Sequence, residues 1–161
     1  MTYDNFTIKA QDAIIKGQQI AAGFKQQQVD TVHLIKGMLE IDEHVTTFLL
    51  QRANVDISSL NRQLDEAIQE YPKVRGTDKQ YLTNEANRAL STAKKLLPEF
   101  GDEYISIELI LLGIIKNDDR GARLLKEAGA TEDEIKAGIT DLRKGKKVTE
   151  QTSEEQYNAL A

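Results

Sequence analysis

His33 and His44 are the two imidazoles in 161 residues, and the chain has neither cysteine nor tryptophan. They stand apart with no HxxxH or HExxH spacing, so neither a zinc site nor a hydrolytic metal centre is indicated. His33 falls where a core residue is expected and reads as a packing and capping side chain. The carboxylate pairs Asp118–Asp119 and Glu154–Glu155 are adjacent in sequence and do not share a helix face, so they read as solvated ends rather than an acid–base pair. No GxxxxGK[ST] or GxGxxG run is present, and no serine, histidine and acid stand in a nucleophile motif. The chain is therefore expected to hold no metal or cofactor of its own. The basic run Arg143, Lys144, Gly145, Lys146, Lys147 has no interleaved aromatics and is followed by Glu150, Glu154 and Glu155, so it reads as a solvated linker.

The segment FGDEYISIEL, residues 100 to 109, carries more chemistry than any other. Phe100, Tyr104 and Ile105 are apolar, while Asp102, Glu103 and Glu108 are acidic. One reading is a loop tucked onto a helical bundle, with Ser106 as helix cap and Glu108 in the first turn, where the helix dipole favours negative charge. The other is the lip of an apolar groove, with acids poised for the backbone N–H groups or basic side chains of an extended peptide.

Either reading needs elements to hold that segment, and the sequence repeats itself to supply them. Laying residue 6 over residue 82, an offset of 76, brings Thr7 onto Thr83, Ala10 onto Ala86, Ala13 onto Ala89, Ile14 onto Leu90 and Gly37 onto Gly113. After a one-residue gap the offset becomes 75, and Leu49 falls on Leu124, Ala53 on Ala128, Leu60 on Ile135 and Leu64 on Ile139. Each copy predicts four helices. In the first, apolar or small residues at 10, 13, 14, 17, 20, 21 and 24 form a stripe behind a Thr7 cap. Leu34, Ile35, Met38 and Leu39 point inward behind Asp30 or Thr31. Val45, Phe48 and Leu49 follow, then Ile57, Leu60, Leu64 and Ala67 behind Asp56. The second copy has caps at Thr83, Ser106 and Thr131. The expectation is an all-α fold, a tandem repeat of two four-helix units with pseudo-two-fold symmetry: repeat one over 6–70, a connector over 71–81 marked by Pro72 and Gly76, repeat two over 82–143, and a flexible linker over 144–161 that stays polar until Tyr157 and Leu160.

The composition agrees. An apolar fraction of 40% supports a core, and charged residues at 29% are mixed in sign. A net charge of -5 disfavours nucleic acid, and no apolar run approaches the roughly 18 residues of a membrane span. A cytoplasmic protein is expected.

The opening Phe6-Thr7-x-Lys9-Ala10, the run VDTVHLIKGML with its H-L-x-x-G-M-L, its echo ISIELILLGII, and the turn LLKEAGAT together resemble the Clp N-terminal repeat domain family over residues 1 to about 143. The tail KVTEQTSEEQYNAL is similar to the segment that leads from this domain into the first ATPase module in the disaggregating branch of that family. The resemblance implies a hexameric, ATP-driven chaperone in which this chain engages unfolded or aggregated proteins alongside the DnaK system, with ATP and magnesium held elsewhere in the full-length protein. The fragment itself is expected to be a monomer without ATPase activity. It also implies substrate contacts at Thr7, Asp102 and Glu108, with Leu90 and Leu109 lining an apolar groove between the repeats. One departure is Val32, where many repeats carry glutamate before the histidine. The alternative is a module that docks a folded adaptor for a Clp protease-associated unfoldase.

Overall fold

Each copy opens with a threonine that ends an extended segment and starts a helix. Thr7 and Thr83 both take β backbone geometry, and their hydroxyls accept the amides of Ala10 and Ala86. That satisfies one of the unpaired N–H groups of the first turn. The structure, a computed structural model, describes residues 3–42, 44–75 and 79–158. Gly76 and Leu160, singled out above, lie outside them. The helices are α1 (Ile8–Gly23), α2 (Thr31–Ile41), α3 (Val45–Arg52), α4 (Ile57–Gln69), α5 (Asn84–Lys95), α6 (Leu97–Phe100), α7 (Ile107–Ile115), α8 (Arg120–Glu127), α9 (Glu132–Arg143) and α10 (Ser153–Asn158). Two-residue strands β1 (Gln28–Val29) and β2 (Tyr81–Leu82) pair in parallel. The all-α expectation holds; two residues are too few to leave a period-2 signal.

Close backbone packing explains the small residues on the α1 and α5 stripes. A Cβ added to Gly37 would lie 2.5 Å from the Ala13 carbonyl oxygen, and one added to Gly113 would lie 2.5 Å from that of Ala89. These are the same contact in the two copies. α7 is buried along its whole length and has no polar face, which makes it the central helix. Across the copies α3 packs on α9, and the equivalent pair α4 and α8 also meet. Phe48, expected inward, is 38% exposed. In α3 the buried line runs through Val45, Thr46, Leu49 and Leu50 instead, because an eight-residue helix covered on one side has a narrow inner face.

The copies join at two equivalent places. Before α2 and α5, Val29 pairs with Leu82; before α7 and α1, Ile105 pairs with Phe6 in an isolated parallel bridge. The second bridge is closed by Thr7 N donating to Ile105 O at 2.9 Å and Ile105 N to Asn5 O at 2.8 Å. These equivalent ladders are the pseudo-two-fold in hydrogen bonds.

The linker over 144–161 departs from expectation in its described part. After the exposed residues Lys144 to Lys147, the chain turns back over the second junction, with Val148, Ser153, Glu154 and Tyr157 buried. Val148 and Tyr157 join the core there, but nine positions apart they make no stripe, and the other contacts are polar side chains and backbone, so periodicity gave no warning.

Candidate functional site

The first junction is satisfied from within its own repeats. Asp30 accepts the Thr83 hydroxyl at 2.7 Å and the Tyr71 hydroxyl at 2.5 Å. The Asp30 amide donates to His33 Nδ1 at 3.0 Å, so the imidazole proton sits on Nε2, which meets Gln26 Oε1 at 2.8 Å. Gln26 in turn donates to Ile68 O at 2.6 Å. Burial lowers the His33 pKa to about 4, against the pull of Asp30. The packing and capping role read for His33 is the one it has.

The second junction has Ser106 where the first copy has Asp30, and so lacks a carboxylate of its own for the Thr7 hydroxyl. Glu154, from the tail, supplies it. Glu154 Oε2 accepts Thr7 Oγ1–H at 2.5 Å and the Ile107 amide at 3.1 Å. Gln151 O accepts the Ile8 amide at 2.9 Å. Ile8 and Ile107 are the first residues of α1 and α7, so two helix N-termini converge on one tail segment. Farther along, Val148 N donates to Asp102 Oδ1 at 2.9 Å and Glu103 N to Val148 O at 2.7 Å.

Beneath the tail lies a buried charge cluster. Arg143 grips Asp102 with both terminal nitrogens, at 2.9 and 2.8 Å, and reaches Glu108 Oε2 through Nε at 3.1 Å. Its guanidinium also stacks 5.4 Å from the centre of the Phe100 ring. Burial works against the Arg143 charge, but Glu108 and Asp102 outweigh it and hold the proton more tightly than usual. The same cation cannot serve a third acid. Burial and the nearby Glu108 push the Glu154 carboxyl up to about 7, despite its bonds to Thr7 and Ile107. Burial first, then Glu108, also raises the pKa of the Tyr157 phenol. Glu108 Oε1, Glu154 Oε1 and Tyr157 Oη are buried without a hydrogen-bond partner among the described residues.

Thr7, Asp102 and Glu108, expected from the resemblance to contact substrate, face inward, Thr7 onto Glu154 and the two acids onto Arg143. The acidic lip is buttoned down by Arg143, a residue assigned above to a solvated basic run. The signal was available: two acids in an apolar segment need a cation. Leu90 borders an open cleft of about 350 Å³, with Phe6 and Ile105 alongside it and Asp4, Asn5, Ser91 and Lys94 around them. Leu109 is 0% exposed and lies in the core. Among the described residues no group of three or more His, Cys, Asp or Glu could hold a metal ion, and no helix is long and apolar enough to cross a membrane.

Two joined helical repeats with equivalent ladders, clefts at the junctions and a latched tail define a double-repeat helical domain. Residues 5–128 match the model of the Clp repeat (R) N-terminal domain, and the chain belongs to that family. It is 36% identical over 160 residues to the chaperone protein ClpB of Bacteroides thetaiotaomicron, covering 99% of this chain and 18% of that protein. It is 35% identical to the ClpB of Enterococcus faecalis over 164 residues, 99% of this chain and 19% of that one. The chain thus spans about a fifth of the length of these relatives. In structure it is similar to the Hsp104 N-terminal domain from Candida albicans, with a TM-score of 0.81, 22% identity, and 94% and 99% of the two chains covered. That likeness bears on the fold alone.

Proposed function

We propose that this domain captures exposed segments of unfolded or aggregated polypeptides for an ATP-driven disaggregase of the ClpB type. The observation that carries the reading is the cleft beside Leu90, placed at the inter-repeat junction of a chain that resembles ClpB along nearly all its length. ATP and magnesium would be bound by modules outside these residues, in a cytoplasmic hexamer that works with the DnaK system. Phe6, Leu90 and Ile105 form a buried apolar floor to the cleft, 2%, 1% and 0% exposed, and Lys94, Asp4 and Asn5 give it a polar edge. Thr7, Asp102, Glu108 and Leu109 shape the junction from beneath. Ordering a disordered segment costs entropy, so one domain binds loosely, and six on a ring raise the effective concentration.

Titration of the labelled domain with reduced, carboxymethylated α-lactalbumin, an unfolded protein, is expected to shift the amides of Phe6, Leu90, Ser91, Lys94 and Ile105. Shifts confined to the outer faces of α4 and α9, or none at millimolar ligand, would overturn the reading. The alternative, docking of a folded adaptor, would leave those amides unmoved by the unfolded probe.

A further inference from the structure

The tail meets the second junction as a ligand meets a site. The hydroxyl of Thr7 and the first amides of α1 and α7 all donate to it, and Asp102 accepts one of its amides. At the first junction the equivalent hydroxyl, that of Thr83, is answered by Asp30, which is built into the start of α2. At the second, the answering carboxylate arrives from 147 residues downstream on a segment tethered through α9. We propose that the second junction is a binding site for acidic peptide segments, that it prefers an apolar residue six positions before a glutamate and an aromatic three positions after it, and that residues 148–157 of this chain are its resident occupant, displaced by such a segment from another polypeptide. The pattern is that of Val148, Glu154 and Tyr157, the three tail residues with deeply buried side chains that meet the acidic segment or the two helix N-termini. The inference deepens the function proposed above and rests on it for the statement that the junction takes foreign polypeptide.

The occupant is held in a way that favours exchange. Arg143 is fully engaged by Asp102 and Glu108, so Glu154 is buried beside Glu108 with no cation of its own. Its attachments are hydrogen bonds to donors at two helix ends, which an incoming carboxylate reproduces one for one. The tether sets the competition. A segment on a short linker acts as though present at roughly millimolar concentration, and a free peptide must work against that.

The probe is the synthetic peptide KKVTEQTSEEQYN, residues 146–158 of this chain, at pH 6. It is to be titrated into the whole 161-residue chain and into the same chain carrying V148A, E154A and Y157A, with circular dichroism checking that the variant is folded. The variant is expected to bind the peptide at least tenfold more tightly than the unchanged chain does, with shifts at Thr7, Ile8 and Ile107, and a peptide carrying E154K is expected to lose that binding. Equal affinity for both chains, or binding by neither, overturns the proposal. A second measurement needs no variant. In native-state hydrogen exchange the amides of Ile8, Glu103, Ile107 and Val148 are expected to open together and well ahead of those in α7; opening only with global unfolding overturns the proposal as well. Carboxymethylated α-lactalbumin separates the two readings. If it binds both chains while the peptide does not distinguish them, the resident-occupant claim fails and the capture function stands. If it binds neither while the peptide binds the variant, the capture function fails and the acidic-segment site stands.

Discussion

Replacing Arg143 with methionine removes the cation that holds the second junction together. The guanidinium makes two hydrogen bonds to Asp102, one to Glu108 and a longer one to Ser106 at 3.4 Å. Methionine keeps most of the apolar stem against Phe100, so lost packing contributes little. The cost is the orphaning of two buried carboxylates, which in proteins generally amounts to about 3–5 kcal/mol. For a chain of this size that corresponds to a fall in Tm of roughly 6–20 °C. R143K keeps the charge but loses the two-pronged grip on Asp102 and is expected to cost about half as much. Urea unfolding at pH 7.5 measures both variants. R52M, which breaks the exposed contacts of Arg52 with Asp141 and Glu134, serves as the comparison and is expected to cost under about 1 kcal/mol. An R143M variant within about 1 kcal/mol of the unchanged chain at pH 7.5 would refute the reasoning.

G37A and G113A are each expected to lose about 2 kcal/mol in urea unfolding, because the new methyl meets a carbonyl oxygen across the helix interface and overpacking outweighs the helix propensity gained. G23A, with nothing within 4 Å of its added methyl, is expected to be neutral or slightly stabilising. His33 has its pKa lowered to about 4, so the unfolded chain binds the extra proton; stability is present above the ordinary value of 6.5 and is lost as the pH falls from there to about 4, by up to about 3 kcal/mol. NMR titration of the His33 ring should give a midpoint below 5. Glu154 titrates the other way: its carboxyl is raised to about 7, so docking of the tail is favoured at low pH and weakens as the pH rises from about 4.5 through 7. The groups facing it are Glu108, Tyr157, the Thr7 hydroxyl and the Ile107 amide, with Arg143 held by Glu108 and Asp102. Exchange of the Ile107 amide, corrected for intrinsic rate, should quicken across that window; a rate independent of pH would contradict it.

The repeat was legible because its signals are local. Thr7, Asp56, Thr83, Ser106 and Thr131 each cap the helix the sequence assigns to them, since a cap is a contract between residues three apart. Gly37 and Gly113 aligned across the copies because one close crossing occurs twice. What stayed illegible depends on partners far along the chain. Glu154 and Glu155 look alike in sequence, yet one is buried against Thr7 and the other is exposed, and no short window holds the reason. Arg143 was grouped with four neighbours that do lie in solvent, while its own partners sit 35 and 41 positions upstream. Of the residues taken from the family resemblance, Leu90 borders the cleft and Leu109 lies in the core, while Thr7, Asp102 and Glu108 are buried in contacts with the distant residues Glu154 and Arg143. A hint was present in the first copy, where the segment after α4 places Tyr71 on Asp30, much as the segment after α9 places Tyr157 near Glu108.

The second junction also has a consequence for the order in which the molecule is made. Its first strand residue is Phe6 and its last partner, Glu154, is on α10, so residues made far apart in time meet there. On a ribosome the Val29–Leu82 ladder has both halves available well before Ile105 emerges, and the Phe6–Ile105 bridge follows it. The start of α1 receives its carboxylate last of all, after both repeats have been synthesised. Because contacts this distant in sequence are the slowest to close, the seam stands assembled but unlatched until Glu154 has been made and the tail has folded back onto Thr7.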